Sequence, residues 1–368
     1  MTGPVGATLG VEEEFHCVDP ATLALTPAPR AVEAALRGDA GPRVHPEIVA
    51  TQLETATAVC TTLAEVRAEL VAARRDAAAA AARDGLVLLA ASTHPFGTWQ
   101  QQPLTGADRY RAMGERWGVL ARQQDICGCH VHVGVPDLGT AVAVVDRARP
   151  FLPLLLALTG SSPFHDGVAT GYESFRTVWW GRFPHSGAPE RLGSAARYRE
   201  VVAGLVASGV VADASQVYWD VRPSAHLPTV EFRVADVCTS VDDAVLHAGL
   251  VRSLVTVLAA EAADGEPAPD PRPELLRAAR WRAARDGLGG ELFDPVRAEL
   301  RPARELVDEL LGRLEDDLRA RDEWSQVTGL VQQLLVRGTS AARQQAVLAE
   351  GGDLRAVAAS VVREGATG

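Results

Sequence analysis

The amino-acid sequence predicts an α+β fold, an antiparallel sheet with helices gathered on one of its faces, and three observations carry that prediction. Segments of alternating polar and apolar residues are confined to the first two thirds of the chain. After Asp236 the character changes, and Leu, Val and Ala recur three and four apart. No Gly-x-Gly-x-x-Gly turn opens a helix, which argues against a doubly wound dinucleotide-binding sheet.

Taken in order, residues up to about 60 read as strands and turns, the first being Val11 to Cys17. A helix follows from Thr62 to Arg83: Thr62 and Glu65 form a capping box, Leu63, Val66 and Leu70 mark one face, and Gly85 supplies the stop. Leu86 to Thr93 is an apolar strand, Ala107 to Arg122 a helix, and Ile126 to Val135 a second apolar-rich strand. Ala141 to Leu158 is helical but bent or split by Pro150 and Pro153. Gln216 to Ala235 holds two more strands. Ser240 with Asp243 opens a helix to Ala263, the Pro-rich stretch Gly265 to Pro273 is a linker, and the remainder is expected to be almost wholly helical. The chain therefore reads as one domain, residues 1–368, with a mostly helical part from about residue 240.

Composition narrows the function. The 368 residues carry 36 basic and 47 acidic side chains, a formal charge of -11, so a nucleic-acid partner is not expected. All of the basic residues are Arg, and without Lys there can be no Walker-type phosphate loop. Arginines and metal ions would have to handle any phosphate. Five cysteines spread over a long chain do not suggest a disulfide framework, and no cationic, then apolar, leader opens the sequence, so a cytoplasmic location is expected. The most apolar segments, Phe151 to Leu158 and Leu254 to Ala260, fall short of the ~20 residues a bilayer needs, and no membrane partner is expected.

Because successive strand residues point to opposite sides, each strand can be sorted by parity. Val11, Glu13, Phe15 and Cys17 share one face and Glu12, Glu14 and His16 the other. Cys127, Cys129, Val131, Val133 and Val135 oppose His130 and His132. Val217, Trp219 and Val221 oppose Tyr218, Asp220 and Arg222, while Val230, Phe232 and Val234 oppose Glu231 and Arg233. One sheet built from these strands would have an apolar side under helices and a side that collects carboxylates, imidazoles and guanidiniums. A solvated strand face is ordinarily polar too, but it favours Thr, Glu or Ser over paired imidazoles. Like charges two apart, as in Glu12 and Glu14, make best sense with a cation beside them.

Glu47 and Glu54 are a weaker pair, since seven residues put them on opposite faces of a continuous strand; the chain must turn between them if both reach one site. Cysteines and histidines in Cys127 to His132 invite a zinc reading, but parity points Cys129 and His130 apart, and an oxygen-rich ligand set suits Mg²⁺ or Mn²⁺ better. Of the loops, Ala91 to Gly97 and Tyr172 to Arg176, the second holds the better candidate in Arg176, whose fork of donors suits a carboxylate or phosphate.

Together, Gly10-Val11-Glu12-Glu13-Glu14-Phe15, Thr93-His94-Pro95-Phe96, Gly128 to Gly134, Trp219 to Ser224 and Thr229 to Asp236 resemble, in order and over nearly the whole chain, the carboxylate-amine ligases of the YbdK type. These form a branch of the glutamate-cysteine ligase type 2 family with a glutamine-synthetase-like fold. The resemblance implies an antiparallel β-sheet funnel with helices packed on its outer face, ATP at its mouth, and Mg²⁺ or Mn²⁺ bridging nucleotide and amino acid. By matching position it implies Glu12, Glu14, Glu47, Glu54, His130 and Glu231 as metal ligands and Arg233 as the arginine facing the transferred phosphoryl group. His132, Arg222 and Arg176 would line the nucleotide or acid pocket. Cys129 stands where the family usually has a plain apolar residue.

The expected reaction is ATP-dependent ligation through an acyl phosphate, with glutamate as acid and cysteine or another amino compound as amine. A small-molecule phosphotransferase could use the same face without an amine site, and a non-catalytic nucleotide or metal sensor could keep the pocket alone. A metal hydrolase on His130 and His132 would act without ATP. The Leu-rich C-terminal helices could also support a homo-oligomer.

Overall fold

The computed structural model describes residues 3–366. Its central antiparallel sheet has seven strands: β1 (Leu9–Val18), β2 (Val44–Pro46), β3 (Gln52–Ala56), β4 (Val87–Leu89), β5 (Gly128–Gly134), β6 (Val221–Pro223) and β7 (Thr229–Asp236). The order across the sheet is β2-β3-β1-β5-β7-β6, with β4 pairing the far end of β1. Glu12 lies opposite His130, Glu14 opposite Glu54, and His132 opposite Glu231, so the polar sides of four strands fall in one patch.

Among the described residues, thirteen helices of six or more residues surround the sheet: α1 (Pro29–Arg37), α2 (Leu63–Ala82), α3 (Asp108–Trp117), α4 (Leu138–Ala148), α5 (Leu152–Thr159), α6 (Phe175–Trp180), α7 (Ala195–Ala207), α8 (Val241–Ala263), α9 (Pro273–Asp286), α10 (Ala303–Ala320), α11 (Trp324–Arg337), α12 (Ser340–Ala349) and α13 (Leu354–Gly365). The apolar strand residues Val131, Val133, Val230, Phe232 and Val234 join Val145, Leu155, Leu246, Leu250 and Leu314 from the helices in the main core. Thr62 caps α2 by accepting from the Glu65 amide at 3.2 Å, and Glu65 returns to the Thr61 amide at 2.7 Å.

The central helix α8 corrects one expectation. Its 23 residues are long and apolar enough to cross a membrane by length and composition, yet 83% of its most apolar window is buried inside the protein. Arg252, fully buried in that helix, is paired with Glu323, which also accepts from the Leu63 amide at 3.0 Å. Ser240 caps α8 through the Asp242 amide at 3.1 Å, whereas Asp243 pairs with Arg337 and lies 3.6 Å from Arg343.

Other elements are shorter or more broken than the pattern suggests. The Ala107 to Arg122 helix divides at Gly118, whose φ of 59° no continuous helix tolerates. The Pro150 region becomes a 3₁₀ turn, Arg149–Phe151, between α4 and α5. Of the expected strand from Val217, only Val221–Pro223 joins the sheet. The C-terminal part is not wholly helical: β8 (Glu291–Asp294) and β9 (Glu299–Pro302) form a hairpin.

Candidate active site

The polar face of the sheet becomes the wall of a cavity of about 260 Å³. Every residue that the resemblance assigned to metal, nucleotide or phosphoryl group lines it: Glu12 and Glu14 from β1, Glu54 from β3, His130 and His132 from β5, Arg222 from β6, Glu231 and Arg233 from β7, Arg176 from α6, and Glu47. Glu47 arrives because β2 and β3 run antiparallel with His45 opposite Glu54, so the chain folds back between them. Its carboxylate accepts from the Ile48 amide. Parity explains the other strand residues, and it also sends Cys129 into the main core, away from His130.

Ionised and ionisable groups are close-packed here. His130 Nδ1 lies 3.3 Å from Glu12 Oε2, and its Nε2 lies 3.8 Å from Glu14 Oε1. His132 Nε2 is 3.4 Å from Glu12 Oε1 and 4.0 Å from Glu231 Oε1. Ligand atoms of Glu12, His132 and Glu231 all fall within 4.8 Å of one another. Glu231 is gripped by Arg222, whose Nε and Nη2 donate to it at 2.8 and 3.1 Å while Nη1 donates to the Ser215 and Val217 carbonyls at 2.7 and 2.8 Å. Arg233 also donates to Glu231, and its Nη1 is 3.4 Å from His130 Nδ1.

The titration shifts divide the carboxylates. Burial pushes Glu14 up to about 8, with the Glu47 charge adding to it. Burial, then the charges of Glu12, Glu47 and Glu14, hold Glu54 well above the usual carboxylate range. Glu47 is raised, chiefly by burial. Burial works against ionised Glu12 too, but bonds to His130 and His132 outweigh it and leave Glu12 well below its ordinary value. Glu231 is likewise lowered, because Arg233 and Arg222 overcome its burial. Burial and the Arg233 charge bring His130 down to about 4, so its imidazole is neutral at pH 7. Carboxylates that would rather be neutral, beside a neutral imidazole, form a site short of positive charge.

A divalent cation fits that shortage. The Nε2 atoms of His130 and His132 are buried without a hydrogen-bond partner among the described residues, and they face carboxylate oxygens. Oxygen donors with one or two imidazoles are a suitable set for Mg²⁺ or Mn²⁺.

Sequence reasoning missed the helical contributions. Arg109, Tyr110 and Met113 of α3, and Trp180 of α6, also line the cavity. Tyr218 does too, from a segment outside the ladder, while Asp220, expected on the same face, instead pairs with Arg280 at 2.8 Å. His16, on the parity of Glu12 and Glu14, is fully buried beyond the cavity beside His94, ring centroids 6.1 Å apart.

A family model for glutamate-cysteine ligase family 2 matches residues 8–360. The chain belongs to this family. That membership makes it an ATP-dependent ligase. A relative from Frankia alni, provisionally named glutamate–cysteine ligase 2-2, is 45% identical over 383 residues, covering 100% of this chain and 99% of the relative. A relative from Salinispora tropica, provisionally named glutamate–cysteine ligase 2, is 43% identical over 97% of this chain and 94% of its own length. Among solved structures, glutamate–cysteine ligase from Francisella tularensis in complex with AMP superposes with a TM-score of 0.72 at 13% identity, over 98% of this chain and 89% of that one. The bifunctional glutathione synthetase of Pasteurella multocida gives 0.69 at 16% identity, over 98% of this chain and 52% of that one. The likeness to these two structures shows the fold, the glutamine-synthetase-like plan of a large antiparallel sheet with helices.

Proposed function

We propose that the cavity joins the γ-carboxylate of glutamate to the amino group of cysteine or another amino compound, at the expense of ATP. The observation that carries the reading is the convergence of Glu12, Glu14, Glu47, Glu54, Glu231, His130 and His132 with Arg176, Arg222 and Arg233 in one cavity. The AMP complex of the Francisella structure supports a nucleotide in a fold of this kind. The main core runs from Leu9 to Leu334, which supports treating the chain as one catalytic domain.

Glu12, His132 and Glu231 would hold one Mg²⁺ or Mn²⁺, since their ligand atoms already lie within 4.8 Å of one another. Glu14, Glu47, Glu54 and His130 would complete the ion sites. His132 thus joins the ligand set rather than only lining the nucleotide pocket. Bound there, the cation would neutralise phosphate charge as nucleotide and carboxylate approach. Arg233 and Arg176 bring guanidiniums to the same place for the developing phosphoryl charge. Arg222 has most of its donors committed to Glu231 and two carbonyls, so its role is to hold that carboxylate in place.

In the first step a carboxylate oxygen of glutamate bonds to the γ-phosphorus and ADP leaves. In the second, the amine nitrogen bonds to the acyl carbon, phosphate leaves, and the amine sheds a proton. The test is an ADP-release screen of amino acids, singly and in pairs, with Mg²⁺ or Mn²⁺. ADP release that requires an acid and an amine together, with an amide as product, is expected. A stable phosphorylated product from a single compound would make the protein a phosphotransferase, and turnover without ATP would make it a hydrolase.

A further inference from the structure

Behind the cavity lies a carboxylate that the reaction above does not use. Asp236, the last residue of β7, is fully buried. It accepts three hydrogen bonds from the segment between α5 and α6: from the Ser161 amide at 3.0 Å, the Ser162 hydroxyl at 2.7 Å and the Ser174 hydroxyl at 2.8 Å. Its Oδ1 also lies 3.9 Å from Nη1 of Arg176.

The serines are not only partners for the charge. Ser174 caps α6, its hydroxyl accepting from the Thr177 amide at 3.4 Å, and the Ser162 hydroxyl accepts from the amide of Arg176 itself at 3.0 Å. One carboxylate therefore faces the guanidinium and fixes the turn that carries it. The remaining contacts of Arg176 are loose: Nη2 and Nη1 donate to the carbonyls of Arg233 and Val234 at 3.3 and 3.4 Å, and buried Nε has no partner among the described residues. The side chain passes β5 at Gly128, where an added Cβ would lie 2.4 Å from Arg176 Nη2.

Held only by two long bonds to carbonyls, a guanidinium would keep several rotamers, and ordering it during the reaction would cost free energy. A charge fixed in advance costs nothing at that moment. We infer that Asp236 is a positioning residue, anchored by three neutral donors, that keeps Arg176 aimed into the cavity without itself touching substrate. The use made of the oriented charge rests on the proposed ligation; the orientation itself does not.

Asp236→Asn keeps the shape and removes the charge. In a crystal structure of that variant the Arg176 guanidinium is expected to leave the Arg233 and Val234 carbonyls, and ADP release is expected to fall about 10-fold to 100-fold, mainly in kcat. The decisive comparison is chemical rescue. Methylguanidinium should restore part of the activity of Arg176→Ala but none to Arg176→Ala with Asp236→Asn, whereas a merely structural Asp236 would allow equal rescue in both. Equal rescue, or an unmoved Arg176 in the Asp236→Asn crystal, overturns the inference. If Asp236→Asn does not fold, Ser162→Ala and Ser174→Ala each remove one anchor, and the same displacement of Arg176 is read from their crystals. Should the wild type release no ADP with any pair of substrates, the proposed function fails, and the Arg176 position in these crystals still decides the present point.

Discussion

Arg74 and Arg222 do the same work on opposite faces of one sheet. Arg74 of α2 forks onto Glu13 at 2.9 and 2.6 Å and donates to the carbonyls of Cys238 and Thr239, both at 2.7 Å. Glu13 has no solvent exposure, so Arg74→Met would leave its buried carboxyl group without a partner and should cost about 3–5 kcal/mol in urea unfolding. Glu13→Gln added to it should recover much of that loss; equal stability of the single and double variants would show that Glu13 is not the cause. On the cavity face, Glu12→Gln is expected to abolish metal-dependent ADP release and, because bonds to His130 and His132 hold the Glu12 carboxylate in its ionised form, to lower the melting temperature somewhat as well. Full activity in that variant would remove Glu12 from the ion site. These two neighbours show what strand alternation can and cannot say. Parity separates Glu12 from Glu13, but which helix supplies the partner of Glu13 depends on packing. For the same reason Arg109, Tyr110 and Trp180 were illegible: each reaches the cavity from a helix whose own pattern carries no mark of it.

The segments after the sheet brace the loop that carries Arg176. At α12, the Ala341 amide donates to the Gly160 carbonyl at 2.9 Å and Gln344 donates to the Ser161 carbonyl at 2.9 Å. The Thr339 hydroxyl donates to Glu173 at 2.6 Å. Glu173 is where this brace responds to pH. Burial pushes its carboxyl up to about 7 from an ordinary 4.5, against the opposing effect of Thr339. Between those values the folded protein holds a proton that the unfolded chain has lost, so this group makes stability fall as pH rises through that window and adds no further slope above it. Glu173→Gln cannot lose the proton. Its melting temperature should therefore gain on the wild type from about pH 4.5 to 7, and a difference that does not vary with pH would reject the assignment. Sequence pattern placed α2, α8 and the proline break well because caps and breakers act locally. It missed the β8–β9 hairpin, whose few residues offer too short an alternation to stand out among helices, and the division at Gly118, where a positive φ is set by what packs around it.

At the scale of the whole molecule, the order of the motifs made the family legible, and the seven-stranded sheet explains why motifs so distant in the chain share a face. The sheet collects negative charge faster than its own arginines cancel it, since Arg222 and Arg233 both bind Glu231 and leave Glu14, Glu47 and Glu54 raised in pKa. Such an arrangement opposes folding, and a divalent cation bound at the proposed site would relieve it. Binding to the folded state alone should stabilise the protein by about 2.7 kcal/mol at a hundredfold excess over Kd, so Mn²⁺ should raise the melting temperature progressively with concentration. Glu54→Gln tests the origin of that effect. Removing a carboxylate that repels Glu12, Glu47 and Glu14 should raise the metal-free melting temperature, shrink the response to Mn²⁺ and end ADP release together. A variant that is less stable without metal, yet gains as much from Mn²⁺ as the wild type, would place Glu54 in the scaffold and not in the ion site.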